Sequence, residues 1–506
     1  MRNTSSLARV TMLVLLALSM VALVAPAATA RDHVASDTLT GTLHVIHGDP
    51  LPGSGGDYRQ ELVLFDASGQ ATTLTGADDE AVAFDQQRVT VRGEEDGDRF
   101  HVAGIKAIGD GGDGLDYWQA EPLSGPQRWV TILCTFPGAN PATQYPSSHF
   151  EGMLSDTEPG MGHYWNEVSY GNISIVNPVV TGWYTLPQPA SHYAPDSFLD
   201  MELSAKDCTD AADADVDYTQ FDGVAMAFND GLGGYAYGGS WTLTLDGETR
   251  NVPLTWLPIF GYEQQQIFAH EMGHAFGLPH SSGGNGTAYD SYWDLMSGGG
   301  NCYQPHPAYF CVGDHTIGVH KDVLGWIPSE RRYVAESPSD ATIDLTRLAQ
   351  PSDDGYLLAM IPIQGSTTHY YSLEARQRVG YDIRVPGDAV VIHRVDLSLW
   401  DQFATVVDVD GNANPNDDGA MWTAGETFRD EANDIEVSFD AATVDWLPRH
   451  DPQLRRLLAH LGTYRQAGQR CRDQPHLDVG TGLILRHDPR AILRGVGQSA
   501  RRALLR

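Results

Sequence analysis

The chain between residues 38 and 108 alternates between hydrophobic and polar positions in short runs. The runs cover residues 39–47, 61–65, 87–92 and 99–105, and turns containing Gly and Asp separate them. Alternation with a period of two predicts strands, and strands at this spacing are typical of a small β-barrel or sandwich. We therefore predict an N-terminal β domain over residues 31–108, followed by a Gly- and Asp-rich linker over 109–127.

The pattern changes near residue 128. Residues 129–134 and 223–228 are nearly continuous hydrophobic runs, which predict strands that are buried on both faces. Residues 197–208 and 262–276 have hydrophobic positions at helical spacing. Buried strands mixed with helices predict an α/β or α+β domain over residues 128–329.

Strand-like runs return after residue 329. They lie at 356–361, 369–374 and 389–393, and they predict a C-terminal β domain over residues 330–447. Residues 449–506 contain twelve Arg, four Asp and no Lys. This change of composition predicts a basic tail over residues 448–506, so the chain as a whole is expected to be multidomain.

The N-terminus has the pattern of a secretory signal. Arg2 and Arg9 precede a hydrophobic run over residues 10–24, and Ala28 and Ala30 form a small-residue cleavage site. Because the run is too short to span a membrane comfortably, we predict a cleaved signal peptide over residues 1–30. The mature protein is expected to be secreted or periplasmic, with no stable membrane anchor.

The formal charge of −34 is unevenly distributed. The twelve Arg and four Asp of residues 449–506 give that segment a net charge of +8, which leaves −42 for the remainder. Such an acidic body repels a phosphate backbone, so nucleic acid is not expected as a partner.

Five cysteines are expected to form structural disulfides in an exported chain, with one left over. Cys302 and Cys311 are close enough in sequence to close a loop. Cys134 with Cys208 is the natural second pair, and Cys471 in the basic tail is then unpaired.

The segment from His270 to His280 carries the strongest chemical signal. His270 and His274 are four residues apart on the predicted helix, so both imidazoles lie on one face and can reach one ion. Gly277 can adopt the left-handed conformation that ends a helix, which allows the chain to turn and bring His280 to the same ion. Two solvated histidines on a helix are the simpler interpretation, but five specified positions at fixed spacing disfavour it.

Three histidine ligands leave one position open on a tetrahedral zinc ion, as in catalytic sites. A water at that position becomes acidic enough to lose a proton near neutral pH. Glu271, beside the first ligand, is placed to act as the catalytic base that takes this proton and later donates it to the leaving amine.

These residues resemble the extended zinc motif of the metzincin metallopeptidases. Met296, in the sequence Asp-Leu-Met-Ser-Gly, fits the methionine turn that lies beneath the metal in that clan. Flanking segments resemble the gametolysin-like and immune-inhibitor-A-like branches: Tyr164-Trp165, residues 169–171, residues 183–187 and residues 321–326. The resemblance covers residues 130–327. It departs from the family pattern at Gly298, where some metzincins have an additional tyrosine.

The resemblance implies a secreted zinc endopeptidase that hydrolyses proteins or peptides. It also implies that substrate lies along an edge strand, for which residues 234–245 are candidates. The alternative is a catalytically silent binding or adhesion protein on a metzincin-like scaffold. The N-terminal β domain is a candidate propeptide, and because residues 31–133 contain no Cys, a thiolate from it cannot block the zinc.

A second cation site is a weaker prediction. Oxygen-bearing side chains suited to calcium concentrate in one loop: Asp408, Asp410, Asn412, Asn414 and Asp417. A solvated turn is the rival interpretation, because the spacing departs from the helix-loop-helix calcium pattern.

Overall fold

The structure is a computed structural model. It describes residues 37–77, 79–108, 122–282, 288–297, 302, 304–336, 339–352, 354–399, 402–444 and 455–464. The predicted signal peptide and Cys471 lie outside these residues. Among the described residues, no helix combines the length and hydrophobicity needed to cross a bilayer.

The N-terminal β strands close into a five-stranded barrel. Their order is β2-β3-β5-β4-β1, and β1 also pairs with β2. The pairs are antiparallel except for β3 with β5. Leu43, Val91 and Phe100 are among the hydrophobic residues that fill the interior. The strands are β1 (Asp37–Pro50), β2 (Arg59–Phe65), β3 (Ala71–Thr75), β4 (Arg88–Asp96) and β5 (Arg99–Ala107).

The central unit combines a mixed sheet with helices on both faces. Strands β9, β7, β10 and β12 are parallel, and β11 is antiparallel to β12. The strands are β6 (Gly125–Gln127), β7 (Trp129–Thr135), β8 (Ile173–Ile175), β9 (Val179–Thr185), β10 (Gly223–Phe228), β11 (Tyr235–Leu245), β12 (Glu248–Leu257), β13 (Pro305–His306) and β14 (Phe310–Cys311). The helices are α1 (Ser147–Leu154), α2 (Met161–Val168), α3 (Ala190–Tyr193), α4 (Met201–Ala212), α5 (Ile259–Glu263), α6 (Gln265–Ala275) and α7 (Gly318–Val323).

Two hydrophobic cores cover the faces of the central sheet. Helix α4 packs on one face, where Met201 and Ala205 contact the core that contains Val130 and Met226. Helices α1, α2 and α6 pack on the other face. The structure forms both predicted disulfides: Cys134 of β7 with Cys208 of α4, and Cys302 with Cys311. The α/β character predicted for this region is therefore present.

The barrel and the central sheet share strand β1. Residues 46–50 of β1 pair antiparallel with residues 235–239 of β11, which makes one continuous ten-stranded sheet. The sequence predicted separate domains joined by a linker. The difference arises because strand pairing is non-local, so periodicity along the chain does not reveal which strands meet.

The C-terminal unit contains two packed sheets. One has the order β15-β17-β18-β19-β20 and the other β16-β23-β22-β21, with Leu373, Ile392 and Val437 in the core between them. The strands are β15 (Arg332–Val334), β16 (Ser339–Leu345), β17 (Leu358–Pro362), β18 (His369–Arg376), β19 (Ala389–Asp396), β20 (Ala404–Val406), β21 (Thr427–Asp430), β22 (Ile435–Val444) and β23 (Arg455–Tyr464).

Strand β23 corrects the boundary predicted at residues 447 and 448. It lies within the predicted basic tail, yet it pairs antiparallel with both β16 and β22. The C-terminal sheet therefore continues to residue 464, and only the chain beyond it remains a candidate tail. Composition alone did not reveal this, because arginine-rich sequence is compatible with a strand whose partners come from earlier in the chain.

Strand β11 and helix α6 approach so closely that Gly238 has no room for a side chain. A Cβ atom at Gly238 would lie 2.2 Å from the backbone oxygen of Glu271. We expect Gly238→Ala to lower the free energy of unfolding by about 1–3 kcal/mol, because strand and helix must separate. Gly231→Ala is the control, since a Cβ there meets no atom within 4 Å and its φ is −83°. Equal denaturation midpoints for the two variants would contradict this packing.

Asp85 anchors strand β1 and should make folding depend on pH. Its Oδ1 accepts a hydrogen bond from the backbone N–H of Val45 at 2.8 Å, and burial raises the pKa of its carboxyl to about 7. Because the folded chain holds this proton more tightly than the unfolded chain, stability falls as pH rises from about 4 to about 7. Asp85→Asn should flatten that part of the pH profile in urea unfolding, whereas Asp57→Asn, at an exposed position, should not. An unchanged slope in Asp85→Asn would exclude Asp85 as the source.

Candidate metal centre

Helix α6 is buried along its whole length, which is unusual for a segment that carries two histidines and a glutamate. All eleven of its residues are buried between the central sheet and the core beneath it. His270 and His274 lie one turn apart, with ring centroids 4.7 Å from each other. The helix ends at Ala275, and Gly277 has a φ of 93°, the left-handed conformation that the sequence predicts.

Backbone carbonyls orient both helical imidazoles. His270 Nδ1 lies 2.9 Å from the oxygen of Leu295, and His274 Nδ1 lies 2.7 Å from the oxygen of Leu278. A carbonyl oxygen only accepts, so each Nδ1 must carry the proton and donate it. In the neutral ring each Nε2 then presents a lone pair. This arrangement of ring nitrogens is common for metal-binding histidines.

His280 reaches the same point from the chain that follows the helix, and the C-terminal unit holds it there. The backbone oxygen of His280 accepts a hydrogen bond from Gln402 N at 3.1 Å. Ser282 pairs with Thr405 of β20 through two hydrogen bonds, from Ser282 N to Ala404 O and from Val406 N to Ser282 O. The C-terminal β domain, predicted as a separate unit, therefore forms part of the framework of the site.

A carboxylate from the N-terminal barrel completes the cluster. Asp49 Oδ1 lies 2.9 Å from His280 Nε2 and 3.4 Å from His270 Nε2, and Asp49 Oδ2 lies 3.4 Å from His274 Nε2. One ligand-type atom from each of the four residues lies within 4.8 Å of the others, and all four residues are buried. Asp49 was not among the residues that the sequence singled out.

The four side chains fit a tetrahedral zinc ion. Zinc–nitrogen bonds of about 2.05 Å place tetrahedral ligands about 3.3 Å apart, close to the spacings of 2.9–3.4 Å around Asp49. His270 Nε2 and His274 Nε2 are 3.0 Å apart, and with both protons on Nδ1 their lone pairs face each other. Such a contact is repulsive unless a cation lies between the two nitrogens.

Electrostatics favour the protonation states that a metal requires at two members of the cluster, His274 and Asp49. Burial, followed by the proximity of His47, holds the pKa of His274 well below its ordinary value, so this imidazole is neutral. Burial alone would raise the pKa of Asp49, but the imidazoles of His270 and His280 outweigh that effect and hold it well below its ordinary value. His274 therefore offers a lone pair and Asp49 a negative charge.

Glu271 lies beside the cluster without making a hydrogen bond. Both of its carboxylate oxygens are buried and have no partner among the residues that the structure describes. Burial, and secondly the charge of Asp49, raises its pKa well above the ordinary value. A carboxyl group kept apart in this way is suited to taking up a proton from a nearby water.

Met296, the residue predicted to form a methionine turn, packs against helix α6. It is buried, and a Cβ atom at Gly273 of α6 would lie 2.5 Å from its Sδ atom, so the turn packs directly on the helix. Asp294 anchors this turn by accepting hydrogen bonds from Ser281 Oγ at 2.7 Å and Ile317 N at 3.2 Å. The position of Gly298 lies outside the described residues.

Two aromatic residues near the cluster were not among the candidates identified in the sequence. His47 of β1 stacks on His274 with ring centroids 4.2 Å apart. Tyr289, seven residues before Met296, donates a hydrogen bond from its hydroxyl to Asp49 Oδ1. No local pattern marks either residue, because both reach the site through tertiary contacts.

The predicted calcium loop brings some of its members together. The carboxylates of Asp408, Asp410 and Asp417 have oxygens within 4.8 Å of one another. The amide nitrogens of Asn412 and Asn414 each donate to Asp417 Oδ2 at 2.8 Å, which is the arrangement of a hydrogen-bonded turn. Calcium binding by this loop stays a prediction.

A comparison with known protein families supports a metallopeptidase centre in this part of the chain. Residues 172–281 match the model of a family described as metallo-peptidase family M12B, reprolysin-like. The matched segment includes His270, Glu271, His274 and His280. No curated protein matches the chain. The family match supports a metzincin-like zinc metallopeptidase. It does not show that the chain belongs to the gametolysin-like or immune-inhibitor-A-like branch.

Proposed function

We propose that this protein is a zinc-dependent endopeptidase that cleaves proteins, with His270, His274 and His280 as the metal ligands and Glu271 as the base. The observation that carries the proposal is the convergence of three imidazoles beside the buried carboxyl group of Glu271, which has no hydrogen-bond partner among the described residues. The match to a metallopeptidase family over residues 172–281 supports it. Protein or peptide substrates follow from that class of reaction.

The metal and the side chain of Glu271 would supply different parts of the reaction. A zinc ion held by the three histidines would polarise the peptide carbonyl and make water acidic near neutral pH. Glu271 accepts one proton from the water as its oxygen attacks the carbonyl carbon. The carbon–nitrogen bond then breaks, and Glu271 passes the same proton to the departing nitrogen. The products are a carboxylic acid and an amine.

Substrate would lie against strand β11. Within the central unit β11 is one of the two outer strands, and its residue Gly238 rests directly on the backbone of Glu271. A peptide that extends β11 would therefore pass over the base and the metal ligands. This agrees with the region predicted from the sequence.

An exported location accords with the two disulfides, which form and persist in oxidising compartments. The proposal therefore includes secretion, or transfer to a periplasm, after removal of residues 1–30. It also includes a zymogen form in which the N-terminal barrel restrains the enzyme.

The alternative is a binding or adhesion protein that retains the scaffold without catalysis. All three imidazoles, Glu271 and Met296 are present and occupy the arrangement described above. A chain that had lost catalysis would not need to keep an unpartnered buried carboxyl, which costs stability. The geometry therefore favours the peptidase.

Glu271→Gln separates the two functions. The substitution preserves size and removes basicity, so we expect casein cleavage to fall by at least ~100-fold while zinc content is unchanged. Activity and bound zinc should be measured on the same preparations, before and after limited proteolysis of residues 109–127. Glu202→Gln, at an exposed position on α4, is the control.

His280→Ala should differ from Glu271→Gln in its zinc content, because it removes a metal ligand. We expect loss of both zinc and activity, and a chelator should reproduce this loss in the wild type. Cleavage by Glu271→Gln at the wild-type rate, in a preparation where the wild type is active, would contradict the mechanism.

A further inference from the structure

Strand β1 belongs to the barrel at one end and lies in the candidate substrate groove at the other. Its residues 39–42 pair with residues 88–91 of β4, whereas residues 46–50 pair antiparallel with residues 235–239 of β11. The hydrogen bond from Leu51 N to Gly234 O, 2.8 Å long, continues the contact by one residue. The strand therefore covers the edge where a substrate peptide would bind.

The same strand delivers a carboxylate to the metal ligands. Asp49 faces Ala236 in the register, and its two oxygens approach all three imidazoles at 2.9–3.4 Å. A carboxylate is a good zinc ligand, and a fourth protein ligand fills the position that a reacting water needs. Tyr289 donates a hydrogen bond to Asp49 and further fixes its orientation.

The chain after Asp49 covers the space beside the base. Residues 50–56 line a cavity of about 270 Å³ together with Phe260, Ile267 and Glu271. The covered features are thus the substrate edge, the fourth metal position and the cavity next to Glu271. One continuous segment of the N-terminal unit reaches all three.

We propose that Asp49 is the fourth ligand of the metal in the uncut chain and that strand β1 occupies the substrate's place on β11, so that the N-terminal barrel keeps the enzyme closed. This inference rests on the proposed function for its consequence, since closure matters only for an enzyme. The ligation itself rests on the geometry of the four side chains. It assigns the blocking role to a carboxylate in a region that contains no cysteine.

Cobalt(II) in place of zinc tests the ligation independently of activity. We expect Asp49→Ala to change the visible d–d absorption of the cobalt-loaded full chain, because water replaces a carboxylate. Zinc affinity, measured by competition with a chromogenic chelator, should fall by at least about tenfold, since even outer partners of metal ligands contribute 10- to 100-fold. Asp57→Ala, an exposed carboxylate eight residues later, should change neither. Unchanged spectrum and affinity in Asp49→Ala would overturn the proposal.

Acetohydroxamate, a small bidentate oxygen ligand, tests the closure. It should shift the cobalt spectrum of Asp49→Ala at concentrations that leave wild type and Asp57→Ala unaffected. Equal shifts in wild type and Asp49→Ala would show that the site is open and would overturn the closure. Asp49→Asn, which keeps the shape of the side chain, repeats both measurements if Asp49→Ala does not fold.

Peptide cleavage at saturating zinc separates this proposal from the proposed function. The uncut Asp49→Ala chain should cleave a quenched fluorescent peptide at least about tenfold faster than the uncut wild type, matching the loss of a direct metal bond. A decrease in activity would make Asp49 a permanent ligand of the working enzyme and would overturn the blocking role. An altered cobalt spectrum that responds to acetohydroxamate, with no cleavage by any preparation, supports ligation and closure and counts against the peptidase.

Discussion

The burial of ionisable groups around helix α6 is the constraint on which the rest of the structure depends. Three imidazoles and two carboxyl groups lie together out of contact with solvent, and burying unpaired charge costs several kcal/mol per group. A divalent cation among the lone pairs offsets much of that cost, which is why metal binding in such sites is coupled to folding. The surrounding elements hold these groups in position until a metal binds.

Each part of the chain supplies something that the centre requires. The central unit provides the three imidazoles, and the backbone oxygens of Leu278 and Leu295 fix two of them. Among its described residues, the C-terminal sandwich provides no candidate ligand for this centre, yet its strand β20 pairs with Ser282 and sets the path of the chain that leaves His280. The N-terminal barrel provides Asp49. The centre is therefore a junction of three units, although its motif occupies eleven residues of sequence.

The local part of this arrangement could be predicted from the sequence, and the non-local part could not. Helical spacing and the glycine at 277 act over a few residues, and the structure forms the helix and the left-handed glycine as expected. The methionine at 296 belongs to a recognisable motif, and it is buried. Asp49 lies 231 residues before His280 in the sequence. The residues Gly48, Asp49 and Pro50 favour turns in isolation, so the predicted strand ended at His47, and pairing with β11 overrides that local preference.

Because β1 belongs to both the barrel and the central sheet, part of this strand must wait during synthesis for its partner β11. Asp49 leaves the ribosome 187 residues before Ala236, the residue it faces, which corresponds to about 10–40 seconds at 5–20 residues per second. An edge strand left unpaired for so long is a site for aggregation. Strands β2 and β4 follow within sixty residues and pair with both sides of β1, so the barrel can protect most of the strand while the enzyme unit is still being made.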